Sequence, residues 1–127
     1  MAEHVEFGDA AGLAITVAEA AVTPPVSGDV PNPRPDRFAT ITRHGGVSRH
    51  RLIDEATLVI EAWGATPADA HDLAQAIRSA LFAASGTEVD GWTIYQVEDS
   101  AGPGDLPDPH SDQPRVTTTM VFPVRGQ

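Results

Sequence analysis

TLVIEAWGATPADAHDLAQAIRSALFAASG, residues 57–86, passes from a β-branched and aromatic run to a helical repeat within a few residues. Thr57 to Trp63 reads as a strand. Thr66 is a helix N-cap, and Pro67 takes the first helical position, where its missing N–H leaves no bond unmade. Asp69 completes a T-x-x-D capping pattern. Ala70, Leu73, Ala74, Ile77, Ala80, Leu81 and Ala84 then recur at i, i+3, i+4, i+7 spacing, and Gly86 supplies a stop. So many alanines on the inward stripe predict a helix lying close on a sheet.

Outward from that unit the chain offers one more helix and three more strands. A first helix is expected after the N-cap Asp9, through AAGLAITVAEAAV, until Thr23-Pro24-Pro25 ends it, with Leu13, Val17, Ala20 and Ala21 on one face. Arg37 to Arg43 reads as a strand broken by a turn or loop at Gly45-Gly46. Trp92 to Glu98 reads as another, after the turn residues VDG. Val116 to Val124 alternates most cleanly, with Val116, Thr118, Met120, Phe122 and Val124 on one face and Thr117 and Thr119 on the other. Two proline-rich stretches, residues 23–35 and 102–114, read as long loops, since neither flank is large enough to fold alone. The order α-β-β-α-β-β predicts one α+β domain spanning residues 1–127, a mostly antiparallel sheet with helices packed on one face. The uncovered face of such a sheet, or its edges, is where neighbours dock.

Composition narrows the function. Apolar residues make up 41% and charged residues 20% of the chain, which fits a folded domain rather than a disordered one. Charges and prolines interrupt every apolar run before the roughly 18 residues that span a bilayer, and the acidic start MAEHVEFGD lacks the pattern of a signal peptide. A cytoplasmic site of synthesis and no membrane partner are therefore expected. There is no cysteine, which excludes disulfides and thiolate chemistry. A formal charge of -10 argues against a protein that grips nucleic acid by its phosphates. All eight basic residues are arginines and Asn32 is the only asparagine, a bias expected of a GC-rich genome.

Each candidate for chemistry has a plainer reading. Asp105, Asp108, His110 and Asp112 fall in one loop, but the EF-hand pattern is absent and prolines interrupt the spacing, so a solvated turn-rich loop is preferred to a calcium site. His44 and His50 flank Gly45-Gly46 among Arg43, Arg49 and Arg51. No glycine-rich loop leads there into a helix to hold a phosphate, and a basic loop at a subunit contact is the preferred reading. Ser79, Ser85 and Ser111 lack a G-x-S-x-G context. His71 falls on the outer face of the second helix, and Trp63 and Trp92 read as core or interface aromatics. The expectation is a non-enzyme, without metal or cofactor.

VPNPRPDRFATITRHGG (30–46), LVIEAWGATPADAHDLAQAIRSAL (58–81) and DGWTIYQVEDSAGPGDLPDPHSDQPRVTTTMVFPVRG (90–126) together resemble the tail terminator proteins of long-tailed, siphovirus-type phages of actinobacteria. The likeness covers nearly the whole chain and lies in the order and spacing of its parts. It implies a structural virion protein at the head-proximal end of the tail, assembled in the host cytoplasm. Its partners are further copies of itself in a hexameric ring, the major tail tube protein and the head–tail connector proteins. Such a ring ends tube polymerisation and offers a joining surface for the connector. DNA passes through without specific binding, and an acidic lumen is expected to repel it. On this resemblance Arg34, Asp36, Arg37, Asp105, Asp108, Asp112 and Arg115 are expected at ring or tube contacts, with the prolines limiting the entropy lost there. For Arg37 and Arg115 the alternative is strand-end pairing with acids of the same chain. Two other readings compete: another head–tail connector or tail-completion protein, and, more remotely, a small α+β enzyme or ligand-binding domain. The latter requires His44, His50 or the loop from Asp105 to Asp112 to converge in a buried pocket.

Overall fold

Thr66 caps the main helix as its sequence demands: its Oγ1 accepts the Asp69 N–H at 3.1 Å, and the Asp69 carboxylate accepts the Ala65 N–H at 3.2 Å. The structure, a computed structural model, describes residues 5–49 and 52–127. In chain order the elements are α1 (Ala10–Ala21), β1 (Val26–Ser27), β2 (Phe38–Arg49), β3 (Ile53–Trp63), α2 (Pro67–Ala83), β4 (Glu88–Val89), β5 (Trp92–Thr93), β6 (Glu98–Asp105) and β7 (Arg115–Arg125). Five strands form one sheet in the order β1-β2-β3-β7-β6, and β4 and β5 make a separate two-stranded ribbon. Only β1 pairs in parallel; the other neighbours in the main sheet are antiparallel. The architecture is a small α+β domain with both helices on one side.

The core lies between helices and sheet. β3 and β7 pair without a break from Ile53↔Arg125 to Trp63↔Arg115, so their period-2 patterns coincide and send the same face inward. Ala56, Leu58, Ile60 and Ala62 from β3 meet Val116, Thr118, Met120, Phe122 and Val124 from β7, all buried. Onto them α2 lowers Ala70, Leu73, Ala74, Ile77 and Leu81. Gly64 makes the short passage from β3 to α2 possible, since a Cβ there would collide with the Ala70 amide and Asp69. The face of α1 differs from the expected one: Ala10, Leu13, Ala14 and Ala18 are buried, while Ala20 and Ala21 are exposed. The stripe of alanines at i, i+4, i+8 wins because small side chains let α1 come down closely onto its neighbours.

Five boundaries depart from the sequence reading. β2 does not stop at Gly45-Gly46; it continues to Arg49, with a register shift between Arg43 and Gly46 that sets His44 and Gly45 opposite Thr57 as a bulge. β3 correspondingly starts at Ile53 rather than Thr57, so β2 and β3 form one long antiparallel arm. The expected strand Trp92 to Glu98 is divided. Trp92 and Thr93 pair with β4, Ile94 makes a single bridge to Val124, and the chain re-enters the sheet at Glu98. The stretch 102–114 is a loop only from Leu106 onward, because Gly102 to Asp105 complete β6. β6 is an exposed edge, where proline and two register shifts are tolerated and no inward alternation marks the strand. The stretch 23–35 likewise contains β1, docked by the Ala39 N–H to the Pro25 carbonyl. His50 and Arg51, and the side chain of Arg49, lie outside the described residues.

The bulge gives the arm its glycine requirement. Gly46 has φ +119°, and a Cβ there would fall on the carbonyl oxygen of Glu55, whereas the same atom at Gly45 (φ +91°) meets open space. Gly46→Ala is expected to cost about 1–3 kcal/mol more than Gly45→Ala, because only the first adds a collision to an unfavourable φ. Urea denaturation of the two variants measures the difference, and equal midpoints contradict it.

Candidate functional site

At the end of the sheet where β2 begins and β3 ends, two aromatic rings turn away from the helices. Phe38 and Trp63 are paired in register and stack with ring centroids 4.6 Å apart and planes 12° from parallel. Both are buried, yet neither belongs to the core between helices and sheet. The two proline-rich loops close over them. Arg34 places its guanidinium 5.6 Å from the centre of the Phe38 ring, and Arg115 lies 5.9 Å from that of Trp63, distances at which a cation is drawn to an aromatic face.

Asp108 is the fastening between the loops and the sheet. Its carboxylate accepts the His110 backbone N–H at 2.9 Å, the Trp63 indole N–H at 3.0 Å, the Ser111 hydroxyl at 3.1 Å and Arg34 Nη1 at 3.2 Å. One acceptor therefore joins both loops to the end of β3. The His110 amide above all, then Trp63, Ser111 and Arg34, hold its carboxyl far below the usual carboxylate range, against the opposing effect of burial. Gln113 adds a second tie, its side-chain amide donating to the Asp36 carbonyl at 2.7 Å. Arg115 donates to Glu61 Oε2 at 3.0 Å and to the Leu106 carbonyl at 2.8 Å. Arg37 Nε sits 2.8 Å from Asp69 Oδ1, an ion pair without hydrogen-bond alignment.

The seven residues expected at an interface thus gather at one end of the molecule and divide by role. Arg34, Arg37 and Arg115 pair with acids of their own chain, and Asp108 is buried among its donors. For Arg37 and Arg115 this is the strand-end pairing weighed as the alternative. Asp36, Asp105 and Asp112 are exposed. Gln113 and the indole N–H of Trp63 had not been singled out as ties. A tryptophan at the end of one strand and an aspartate-rich loop leading into another were the available signal, because a buried indole N–H needs an acceptor.

Asp105, Asp108, Ser111 and Asp112 line one open groove at the loop end, but the histidines do not join them in a buried site. His44 is exposed with its Nε2 3.1 Å from Thr42 Oγ1, His110 is exposed, and His50 lies outside the described residues. Among the described residues no group of three or more histidine, aspartate and glutamate side chains is placed to hold a metal ion. Ser85 accepts the Val97 N–H, Ser111 is bound to Asp108, and Ser79 and His71 are exposed on α2. No described helix is long and apolar enough to cross a membrane. No protein-family model matches this chain, and no curated protein matches its sequence.

Because the folded-state pKa of Asp108 is depressed, its contribution to stability is fully present above the unfolded-state value near 3.9 and is lost as pH falls through the folded value. Wild-type protein is therefore expected to lose more stability between about pH 5 and pH 2 than Asp108→Asn, whose side chain does not titrate. At pH 7 Asp108→Ala is expected to cost about 2–4 kcal/mol, since it strands the Trp63 indole and Arg34 without their acceptor. Thermal melts across that pH range test both statements, and parallel profiles for wild type and Asp108→Asn contradict the first.

Proposed function

We propose that this protein is a non-enzymatic tail terminator of a long-tailed actinobacteriophage, which caps the head-proximal end of the tail tube as a hexameric ring. The observation that carries the reading is the built rim at one end of the sheet. There the two proline-rich loops named by the resemblance meet and are held by Asp108 and Gln113. Asp36, Asp105 and Asp112 point outward there beside the exposed apolar residues Val30 and Leu106. A rim already fixed in the free chain loses little entropy when it docks, and outward carboxylates beside apolar side chains suit a contact surface rather than a pocket. The exposure of His110, Asp105 and Asp112 on the loop rim, with His44 away from them on the arm, favours assembly over the remote enzyme reading.

In this role the ring stops addition of tube protein, offers its other face to the head–tail connector proteins, and lets DNA pass without specific contacts. The net charge of -10 per subunit agrees with a passage that repels phosphate. The test is electron microscopy of particles assembled with this gene disrupted. Filled heads apart from tubes of overlong or irregular length are expected. Tubes of normal length, joined or detached, overturn the reading in favour of a connector or another virion part.

A further inference from the structure

The two loops of the rim are not held alike. Residues 106–114 are fastened to the sheet directly: Asp108 accepts the Trp63 indole N–H, the Gly64 N–H donates to the Pro114 carbonyl at 3.2 Å, and Arg115 on β7 donates to the Leu106 carbonyl. Residues 28–36 have no such hold. Among the described residues no main-chain hydrogen bond joins them to the rest of the molecule. Apart from the Ser27 hydroxyl, which donates to the Asp29 carbonyl at the root of the stretch, two side chains supply its polar ties. Arg34 donates to Asp108 at 3.2 Å, and the Gln113 amide donates to the carbonyls of Asp36 at 2.7 Å and Pro35 at 3.4 Å. Arg34 also makes the contact with the Phe38 ring, so its guanidinium holds the stretch on two counts. Both polar ties run to the other loop, and residues 28–36 are secured to the sheet largely through it.

Burial adds little to these ties. Seven of the nine residues are exposed, and only Pro31 and Pro35 are partly covered. A segment with few buried contacts and no main-chain ladder opens at a lower free energy than the core beside it. Pro31, Pro33 and Pro35 restrict the backbone at every second position, so the stretch moves as a stiff piece rather than fraying residue by residue. Between it and the other loop lies a cleft of about 280 Å³, with Thr40, Glu61 and Trp63 of the sheet as its floor, Val30 and Arg34 on one side and His110 on the other. Thr40, on that floor, is only 5% exposed.

We infer that residues 28–36 form a strap that swings open as one body when Arg34 and Gln113 let go, uncovering the cleft over Thr40 and Trp63 while residues 106–114 stay closed. The strap goes beyond the capping role and does not depend on it. Because the chain has no cysteine, single introduced thiols report each part. A nitroxide on N32C reads the strap and one on D112C reads the other loop, both at exposed positions, while the free thiol of T40C reads the cleft floor. Each is placed in the otherwise wild-type chain and in R34A/Q113A, which cuts both ties and spares the bond from Trp63 to Asp108. In R34A/Q113A the open-to-closed ratio of the strap, read from the mobile component of the N32C spectrum, is expected to rise at least about tenfold, since one charged and one neutral hydrogen bond are lost. Maleimide labelling of T40C is expected to accelerate by a similar factor, and the D112C spectrum to stay as in wild type. An N32C spectrum or a T40C labelling rate unchanged by the substitutions overturns the strap, as does a D112C label mobilised together with N32C. If circular dichroism shows R34A/Q113A unfolded, Q113A alone takes its place: a rise of about threefold in the same ratio is expected, and no rise overturns the strap.

Discussion

One carboxylate has to be satisfied before the loop end of this molecule can exist. Asp108 is buried beside the stacked Phe38 and Trp63, and an ionised group in that place is tolerated only with its lone pairs occupied. The four donors come from His110 and Ser111 in its own loop, from Arg34 in the other loop and from Trp63 at the end of β3. The bonds are individually modest, but the cost of leaving any of these groups dry and unpaired is large. Proline narrows what the loops can do in the unfolded chain, and Asp108 selects among the few conformations left. The result is a segment that composition marks as irregular but that the sheet holds in one arrangement.

The sheet has two faces governed by different rules. Towards the helices, alanines on α1 and α2 permit close approach, and the large side chains come from Leu58, Ile60, Met120 and Phe122 on the central strands. The other face carries Thr57, Val59 and Glu61 from β3 beside Thr117, Thr119 and Val121 from β7, all partly open to solvent. Only at the end covered by the loops does that face become dry. The loops therefore act as a third layer over a fraction of the sheet, and the residues of interest for recognition border that layer.

Elements that bury a face were legible before the structure. The cap at Thr66, the stripe from Ala70 to Leu81 and the alternation from Val116 to Val124 all report burial, and all lie where the sequence puts them. Elements at the margin were not. β6 reads as EDSAGPGD, with nearly every residue exposed, so its only sheet-forming information is the backbone bonds it makes with β7. β1 is only two residues long, too short to show an alternation, and Gly45-Gly46 signals a turn as readily as a bulge. For the seven residues expected at an interface, sequence placed them at the two proline-rich loops but did not fix the direction in which the arginines point. An arginine next to a strand serves a neighbouring acid in its own chain or in another with the same local pattern, and the choice depends on where Asp69, Glu61 and Asp108 arrive in space.

The two borders of the sheet are unequal. β6 carries Pro103, which has no N–H to give, and its two irregularities twist its outer bonding groups out of line. A strand arriving there finds no regular ladder to extend. The outer border of β2 lacks any proline from Phe38 to Arg49. Main-chain pairing between copies is consequently one-sided, and a continuous sheet built by that route ends after two molecules. The polypeptide thus carries its own barrier to fibrous, amyloid-like propagation, written in the backbone of an exposed strand rather than in its charges.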